Sequence, residues 1–245
     1  MPLRIDPERF GAVVADLDGV VTDTASLHYR AWKATFDPLL ERLRPDESCP
    51  FDRDDYLGHV DGKPRLDGIR DLLAARHVVV PEGKETDGPD AETVHGIGAR
   101  KNQLFRRLLS ERGVEPFEDA ARALPSWRRC GLATAVVSSS KNCRHIVESA
   151  GIAAWFDTRV DGAVAAELGL AGKPAPDLFE EAARRLGVPP ARCVVLEDAE
   201  SGVRAGVRGG FGLVVGVDRE ADGERLRRAG AHATVSSLDE LTCGE

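Results

Sequence analysis

The sequence predicts an α/β fold, with a Rossmann-like parallel-sheet core and an inserted helical cap domain. Short apolar runs rich in β-branched residues recur along the chain, as is typical of buried parallel strands. Helical patterns alternate with these runs from about residue 115 onward, which indicates a layered α/β structure. Between about residues 28 and 110, helical and polar stretches contain no convincing strand.

The first predicted strand covers residues 11–15 and ends directly before Asp16. The clearest helix runs from Pro176 to Leu186, because Pro favours the first turn of a helix and Gly187 is a common stop. The other predicted strands are 132–137, 193–196, 213–217 and, more weakly, 233–235. The predicted buried stripe of the helix is Leu178, Phe179, Ala182, Ala183 and Leu186.

The domain organisation follows from the position of the strand-free stretch. A chain of 245 residues is long enough for one large domain or for a core with an insert. Because the stretch begins after the first strand, an insertion is the simplest arrangement. We expect the α/β core at residues 1–27 and 109–245 and the helical cap domain at 28–108, with linkers near 25–28 and 108–116.

Composition excludes several classes of protein. Charged residues make up 30% and hydrophobic residues 42%, and no apolar run approaches the roughly 18 residues of a membrane span. The first ten residues lack the apolar stretch of a secretory signal, so we expect a cytoplasmic protein. Five widely spaced cysteines without a C-x-x-C pair suggest neither disulfides nor zinc. The net charge of -8 argues against nucleic acid as a partner.

Acidic residues stand where the first strand ends. Asp16 and Asp18 follow it directly, and the loops at the carboxyl ends of parallel strands usually form the ligand crevice. Three more polar segments, 138–142, 172–177 and 197–198, are expected at the same edge of the sheet. Taken alone, the acidic pairs could also cap a turn or a helix, and a loop lysine at position 173 could be solvated.

These four segments, in this order and at these separations, resemble the haloacid dehalogenase superfamily of phosphotransferases. Within it, DLDGVVTDTASLHYRAWK, SSSKN, AGKPAPDLF and LEDAESGV resemble the β-phosphoglucomutase group and its close relatives. The resemblance covers nearly the whole chain and implies phosphoryl transfer through a phospho-aspartate.

The resemblance also implies roles for the core residues. Asp16 is the nucleophile, which splits one difficult transfer into two easier ones, and Asp18 is the general acid and base. Ser138 donates a hydrogen bond to the transferring phosphate, and Lys173 neutralises its charge. The implied cofactor is Mg²⁺, which prefers oxygen ligands. Its implied ligands are Asp16, the backbone carbonyl of Asp18 and Asp198, with Glu197 supporting the site.

The cap carries the implied specificity residues. Arg65 matches the arginine that binds the second, non-reacting phosphate, a task suited to a planar guanidinium. Thr24 and His28 match residues that position Asp18. The remaining implied substrate contacts are Ser139, Ser140, Lys141, Asn142, Trp32, Lys101 and Asn102. From the residues alone, Arg65 could be solvated, His28 could be packed, and Trp32 fits a cap core better than a ligand contact.

The reaction that the resemblance implies is interconversion of β-glucose 1-phosphate and glucose 6-phosphate through a bisphosphate intermediate. The expected partners are a phosphosugar and a bisphosphate primer, and the protein is expected to be a monomer. A sugar-phosphate phosphatase would use the same nucleophile, metal and acid–base residue, and a third alternative is an inert binding protein on this fold. The sequence departs from the family pattern around Lys63–Pro64 and in residues 81–95, so the pattern does not specify the identity of the sugar.

Overall fold

The computed structural model describes residues 3–43, 49–219 and 223–243. The chain forms two compact units: an α/β unit of Met1–Asp23 with Val114–Glu245, and a cap unit of Thr24–Gly113. The sequence placed these boundaries at 27/28 and 108/109. They differ because the first and last helices of the cap extend beyond the predicted limits, and each helix stays whole within one unit.

The strands of the α/β unit are short and parallel. Within the described residues, six of them form the main sheet, in the order β4-β3-β2-β5-β6-β7, while β1 and β8 pair separately. In chain order the strands are β1 (Leu3–Arg4), β2 (Ala12–Asp16), β3 (Ala133–Val137), β4 (Thr158–Val160), β5 (Cys193–Glu197), β6 (Leu213–Val217), β7 (Ala233–Val235) and β8 (Leu241–Thr242).

The helices divide between the two units, α1 to α4 in the cap and α5 to α10 in the α/β unit. In chain order they are α1 (Ala25–Leu43), α2 (Arg53–Asp55), α3 (Arg65–Ala75), α4 (Val94–Arg112), α5 (Glu118–Arg129), α6 (Cys143–Ser149), α7 (Gly162–Leu168), α8 (Asp177–Leu186), α9 (Glu200–Arg208) and α10 (Gly223–Arg228).

The predicted parallel-sheet fold with flanking helices is confirmed. Every residue of β2 and β5 is buried, as expected for central strands that are covered on both faces. The apolar stripe of α8 joins this core, where Phe179 meets Phe211 edge to face with ring centroids 5.9 Å apart. All five predicted strands are present, within one residue of the predicted limits.

Among the residues that the structure describes, three strands were not predicted. β4 has three residues, and Arg159 at its centre interrupts the apolar run that would have marked it. β1 and β8 have two residues each and pair with one another in parallel. Runs this short carry too little hydrophobic pattern to be separated from loops.

The cap unit has its own apolar core. Aromatic residues from α1 and the following segment stack there: Phe36 lies 5.3 Å from both Trp32 and Phe51, measured between ring centroids. Thr93 caps α4 by accepting a hydrogen bond from Gly96 N at 3.0 Å. In the part of the cap that the structure describes, no strand occurs. Across the described residues, no helix is long and apolar enough to cross a membrane.

Candidate active site

The candidate active site lies at the carboxyl edge of the main sheet. β2 ends at Asp16 and its neighbour β5 ends at Glu197, while Ser138 directly follows β3 on the other side of β2. The chain runs from β2 to β3 and β4 on one side, then returns to β5 on the other side. The loop after β2 therefore occupies the topological switch point, where open α/β sheets bind ligands.

A buried ion cluster occupies this edge. The ammonium of Lys173 contacts both Asp16 Oδ1 and Glu197 Oε1, and all three side chains are buried. Burial raises the pKa of Asp16 well above its usual range; the Lys173 ammonium opposes this shift, and Glu197 and Asp18 add to it. Burial by itself would lower the pKa of Lys173, but Asp16 and Glu197 outweigh it and raise that pKa above its ordinary value. Lys173 therefore stays charged beside the carboxylates.

The carboxylate of Asp18 is oriented by Ser138, while the Asp18 backbone amide holds the carboxylate of Asp16. The amide of Asp18 donates to Asp16 Oδ2 at 2.8 Å, which links the two aspartates directly. Ser138 Oγ donates to Asp18 Oδ2 at 3.0 Å and accepts from Ser140 N at 3.1 Å. Because the serine hydroxyl is itself fixed, it holds the Asp18 carboxylate in one orientation. Asp16 and Asp18 thus have different surroundings, as different chemical roles require.

Glu197 depends on a close approach by helix α9. Its Oε2 accepts a hydrogen bond from Ala199 N at 2.9 Å, while Oε1 contacts Lys173. A Cβ atom built on Gly202 would lie 1.7 Å from Glu197 Oε1, so a side chain larger than that of glycine cannot fit there without displacing the carboxylate. No pattern in the sequence marks Gly202, although it lies within the motif segment LEDAESGV.

The donor set at this edge suits a hard cation. Asp16, the Asp18 carbonyl and Asp198 offer oxygen atoms, which Mg²⁺ prefers. The carboxylates of Asp16, Asp18 and Glu197 outnumber the Lys173 ammonium, so an added positive charge would be favoured. Among the described residues, no group of three or more His, Cys, Asp or Glu side chains is arranged for a metal. The expected Mg²⁺ ligands would not form such a group, because they are two carboxylate side chains and one backbone carbonyl. The types of donor present therefore fit Mg²⁺.

The segment after Ser138 contains the other predicted substrate contacts of the α/β unit. Ser140 Oγ accepts from Asn142 N at 3.1 Å, which fixes the turn before α6. The Ser139 carbonyl lies so near Gly162 that a Cβ there would be 2.5 Å from the oxygen. Lys141 is exposed on this turn. The backbone is therefore well held, while the lysine side chain is open to solvent.

Three of the predicted cap residues, His28, Trp32 and Lys101, form a cluster within the cap unit. His28 stacks on Phe105 with ring centroids 4.0 Å apart, and Lys101 Nζ lies 2.6 Å from His28 Nδ1. The same ammonium lies 4.7 Å from the ring centroid of Trp32, which is buried in the cap core. The packed environments of His28 and Trp32 agree with the packing alternatives raised from the sequence.

Three further predicted cap residues, Thr24, Arg65 and Asn102, lie elsewhere in the cap unit. Thr24 is buried immediately before α1, and its carbonyl accepts from His28 N at 2.9 Å. Arg65 is the first residue of α3, and its Nη1 donates to Gly98 O on α4 at 2.9 Å. Burial lowers the pKa of Arg65 below its ordinary value. Asn102, next to Lys101 on α4, is half-buried.

Comparison with known proteins identifies the family. A model of the haloacid dehalogenase-like hydrolase family matches residues 10–210. The chain belongs to this family. A β-phosphoglucomutase of Mycobacterium bovis is 46% identical over 242 residues, which cover 96% of this chain and 92% of the relative.

Other members of the haloacid dehalogenase-like family show the range of named activities. A fructose-1-phosphate phosphatase of Escherichia coli is 27% identical, over 84% of this chain and 96% of the relative. The crystal structure of a Clostridium difficile β-phosphoglucomutase superposes with a TM-score of 0.73 at 24% identity, covering 95% of this chain and 93% of that chain. At this level of identity, the similarity to the Clostridium difficile structure shows a shared fold.

Proposed function

We propose that the chain transfers phosphoryl groups through a phospho-aspartate on Asp16 and interconverts β-glucose 1-phosphate and glucose 6-phosphate. The observation that carries the proposal is the buried Asp16 carboxylate at the switch point of the sheet, which contacts the Lys173 ammonium and accepts a hydrogen bond from the Asp18 amide. The mutase activity is favoured over other reactions of the family by the 46% identity to a named β-phosphoglucomutase over nearly the whole chain.

In the first half-reaction, an Asp16 carboxylate oxygen forms a bond to phosphorus while the bond from phosphorus to the leaving oxygen breaks. The Lys173 ammonium offsets the negative charge that the carboxylate and the phosphate bring together. Asp18 donates a proton to the leaving oxygen, and Ser138 orients both Asp18 and the phosphate. A bound Mg²⁺, held by Asp16, the Asp18 carbonyl and Asp198, would stabilise charge on the phosphate oxygens and favour the ionised form of Asp16.

In the second half-reaction, a hydroxyl group of the phosphosugar attacks the phosphorus of phospho-Asp16. Its proton passes to the Asp18 carboxylate, and the bond from phosphorus to Asp16 breaks to restore the free enzyme. A bisphosphate is thus the intermediate of the interconversion and also the primer that loads Asp16. Arg65, by its resemblance to the phosphate-binding arginine, holds the phosphate that is not being transferred.

A sugar-phosphate phosphatase is the second candidate, because the family also includes the fructose-1-phosphate phosphatase. Water would then replace the sugar hydroxyl in the second half-reaction, with the same nucleophile and the same base. A mutase must let the bound sugar outcompete water at about 55 M, and oriented binding can supply effective molarities of that size.

The two candidates are separated by following both products in one reaction. Purified enzyme would receive β-glucose 1-phosphate, Mg²⁺ and a glucose bisphosphate primer, and glucose 6-phosphate and inorganic phosphate would be measured together. We expect glucose 6-phosphate to form many times faster than phosphate, and Asp16→Asn to form neither, because an amide is a very poor nucleophile. Phosphate release as fast as isomerisation would favour the phosphatase, and turnover by Asp16→Asn would exclude a phospho-aspartate.

A further inference from the structure

The backbone that carries Asp18 is a tight turn, which we call the Asp18 turn and define as residues Asp18–Thr22. Within it, Gly19 N donates to Thr22 O at 2.8 Å, and Thr22 N donates to Leu17 O at 2.9 Å. Gly19 has a φ of 88°, a conformation that costs glycine little. The direction of the Asp18 side chain is therefore set by the geometry of this turn.

The outward carbonyls of the Asp18 turn are held from a separate part of the α/β unit. Arg219 Nε donates to Gly19 O at 3.0 Å, and Arg219 Nη2 donates to Val20 O at 2.9 Å. Phe117 N donates to the next carbonyl, that of Val21, at 2.9 Å. Three consecutive peptide groups of the turn are thus fixed by two residues that lie far from it in sequence.

Arg219 is itself held in one orientation. Its Nη1 and Nη2 donate to the two carboxylate oxygens of Asp119 at 2.9 and 3.0 Å, and its guanidinium lies 3.7 Å from the ring centroid of Phe117. Asp119 is 6% exposed, so this ion pair is largely shielded from water. The Asp119 carboxylate also accepts three hydrogen bonds of 2.8 Å, from Ser237 Oγ, Leu238 N and Ala120 N.

This network requires arginine. The N–H donors of a planar guanidinium have fixed directions. Nη1 and Nη2 can therefore bind the Asp119 carboxylate while Nε and Nη2 bind the two carbonyls of the turn. A lysine at position 219 would offer one ammonium and could not make both sets of contacts. Most of the donors of Arg219 act on two targets, Asp119 and the Asp18 turn. Because Asp119 is itself held in place, Arg219 fixes the position of the turn relative to Asp119.

We infer that Arg219 is a positioning residue for Asp18, acting through the backbone of the Asp18 turn, with Asp119 as its anchor. The inference deepens the proposed function and rests on it, because it takes Asp18 as the general acid and base. The Asp18 carboxylate accepts from Ser138 Oγ at 3.0 Å, and a shift of the turn would break that geometry. Misplacing a catalytic group by about 1 Å costs on the order of a hundredfold in rate.

The inference is tested by separating the steps that need Asp18 from the step that does not. Acetyl phosphate loads Asp16 with loss of acetate, a leaving group that needs no proton. Transfer from phospho-Asp16 to a phosphosugar hydroxyl, or to water, requires Asp18 to accept a proton. In rapid-quench measurements at saturating Mg²⁺, we expect Arg219→Lys to slow transfer roughly tenfold to a hundredfold. Loading uses the Asp18 backbone but not its carboxylate, so it should slow by a clearly smaller factor.

A double-mutant cycle shows whether Arg219 acts through Asp18. In an Asp18→Asn background, Arg219→Lys should slow the residual transfer by less than about twofold, because the group that it positions has been removed. Arg122→Lys is the matched control: it changes an exposed arginine that pairs with Asp239 in the same unit, and both steps should keep the wild-type rates. Asp119→Asn, which keeps Arg219 but weakens its anchor, should repeat the selective loss of transfer if Arg219→Lys fails to fold.

Equal slowing of loading and transfer by Arg219→Lys and Asp119→Asn would show a structural role and overturn the inference. So would an undiminished effect of Arg219→Lys in the Asp18→Asn background. If the wild-type enzyme released phosphate to water and not to a phosphosugar, the proposed mutase function would fail instead. The inference would still be decided in that case, since hydrolysis of phospho-Asp16 depends on Asp18 in the same way.

Discussion

Lys173 is the residue on which the buried carboxylates of the site depend. Replacing it with methionine would leave Asp16 and Glu197 close together, buried and without their shared ammonium. Because removing one partner of a buried ion pair strands the other charge, we expect Lys173→Met to lower the free energy of unfolding by roughly 3–5 kcal/mol. It should also abolish loading of Asp16. Urea unfolding and loading by acetyl phosphate measure the two effects.

Lys33→Met is the matched control for this change. Lys33 pairs with Asp37 on α1, the side chains of the two residues are 41% and 35% exposed, and the ammonium also donates to Phe51 O at 2.8 Å. Exposed pairs contribute about 0–1 kcal/mol, so this variant should unfold close to the wild type and should be loaded normally. A similar loss of stability in both lysine variants would mean that the Lys173 cluster does not behave as a buried ion network.

At this scale, the sequence singled out Asp16, Asp18, Ser138 and Glu197 because they follow predicted strands, and Lys173 because it lies in the loop before a predicted helix. All five also match a family pattern. The structure brings these residues together within the α/β unit. The residues that hold the Asp18 turn could not be found in the same way. Asp119 and Arg219 lie 100 positions apart, and neither belongs to a motif, so their pairing is visible only once the chain is folded.

At the scale of elements, helix α9 supports Glu197 through Gly202. We expect Gly202→Ala to reduce both stability and activity, because a Cβ atom 1.7 Å from Glu197 Oε1 must move that carboxylate away from Lys173. The intrinsic preference of alanine for helices, worth up to about 1 kcal/mol over glycine, would act in the opposite direction. A net loss of stability would therefore underestimate the steric effect. Thermal unfolding and the isomerisation rate give the two readouts.

Gly206→Ala is the control on the same helix. A Cβ atom there would lie 3.1 Å from a Val214 methyl group and 3.3 Å from a Val195 methyl group, so small shifts of apolar side chains can accommodate it. Its effect on the isomerisation rate should be much smaller than that of Gly202→Ala. Equal rates in the two variants would show that the close approach of α9 to Glu197 has no functional importance.

Prediction of the elements succeeded where the hydrophobic pattern was long. The apolar runs of β2, β3, β5 and β6 span five residues each and were recognisable. β4 was missed because three residues with a central arginine do not form such a run. Glycines such as Gly202 have no pattern of their own, since their importance lies in what approaches them.

At the scale of the whole molecule, the predicted catalytic residues and the predicted specificity residues of the cap belong to different units. The predicted nucleophile, acid–base residue and lysine all belong to the α/β unit, whereas Arg65, Trp32 and Lys101 belong to the cap unit. If the cap serves substrate binding, damage to it should affect substrates in proportion to how much of the sugar and its second phosphate they contain.

Arg65→Ala tests this division of labour. We expect it to reduce turnover of β-glucose 1-phosphate by roughly tenfold to a hundredfold, since a charge-assisted phosphate contact is worth about 1.5–3 kcal/mol and its binding energy also serves the chemical step. Loading of Asp16 by acetyl phosphate should stay within about threefold of wild type, because that substrate has no second phosphate. Arg70→Ala is the control, as Arg70 lies on the same helix in exposed pairs with Asp67 and Glu82. Equal loss of rate with both substrates would show that Arg65 acts on the reacting phosphate or on the stability of the fold.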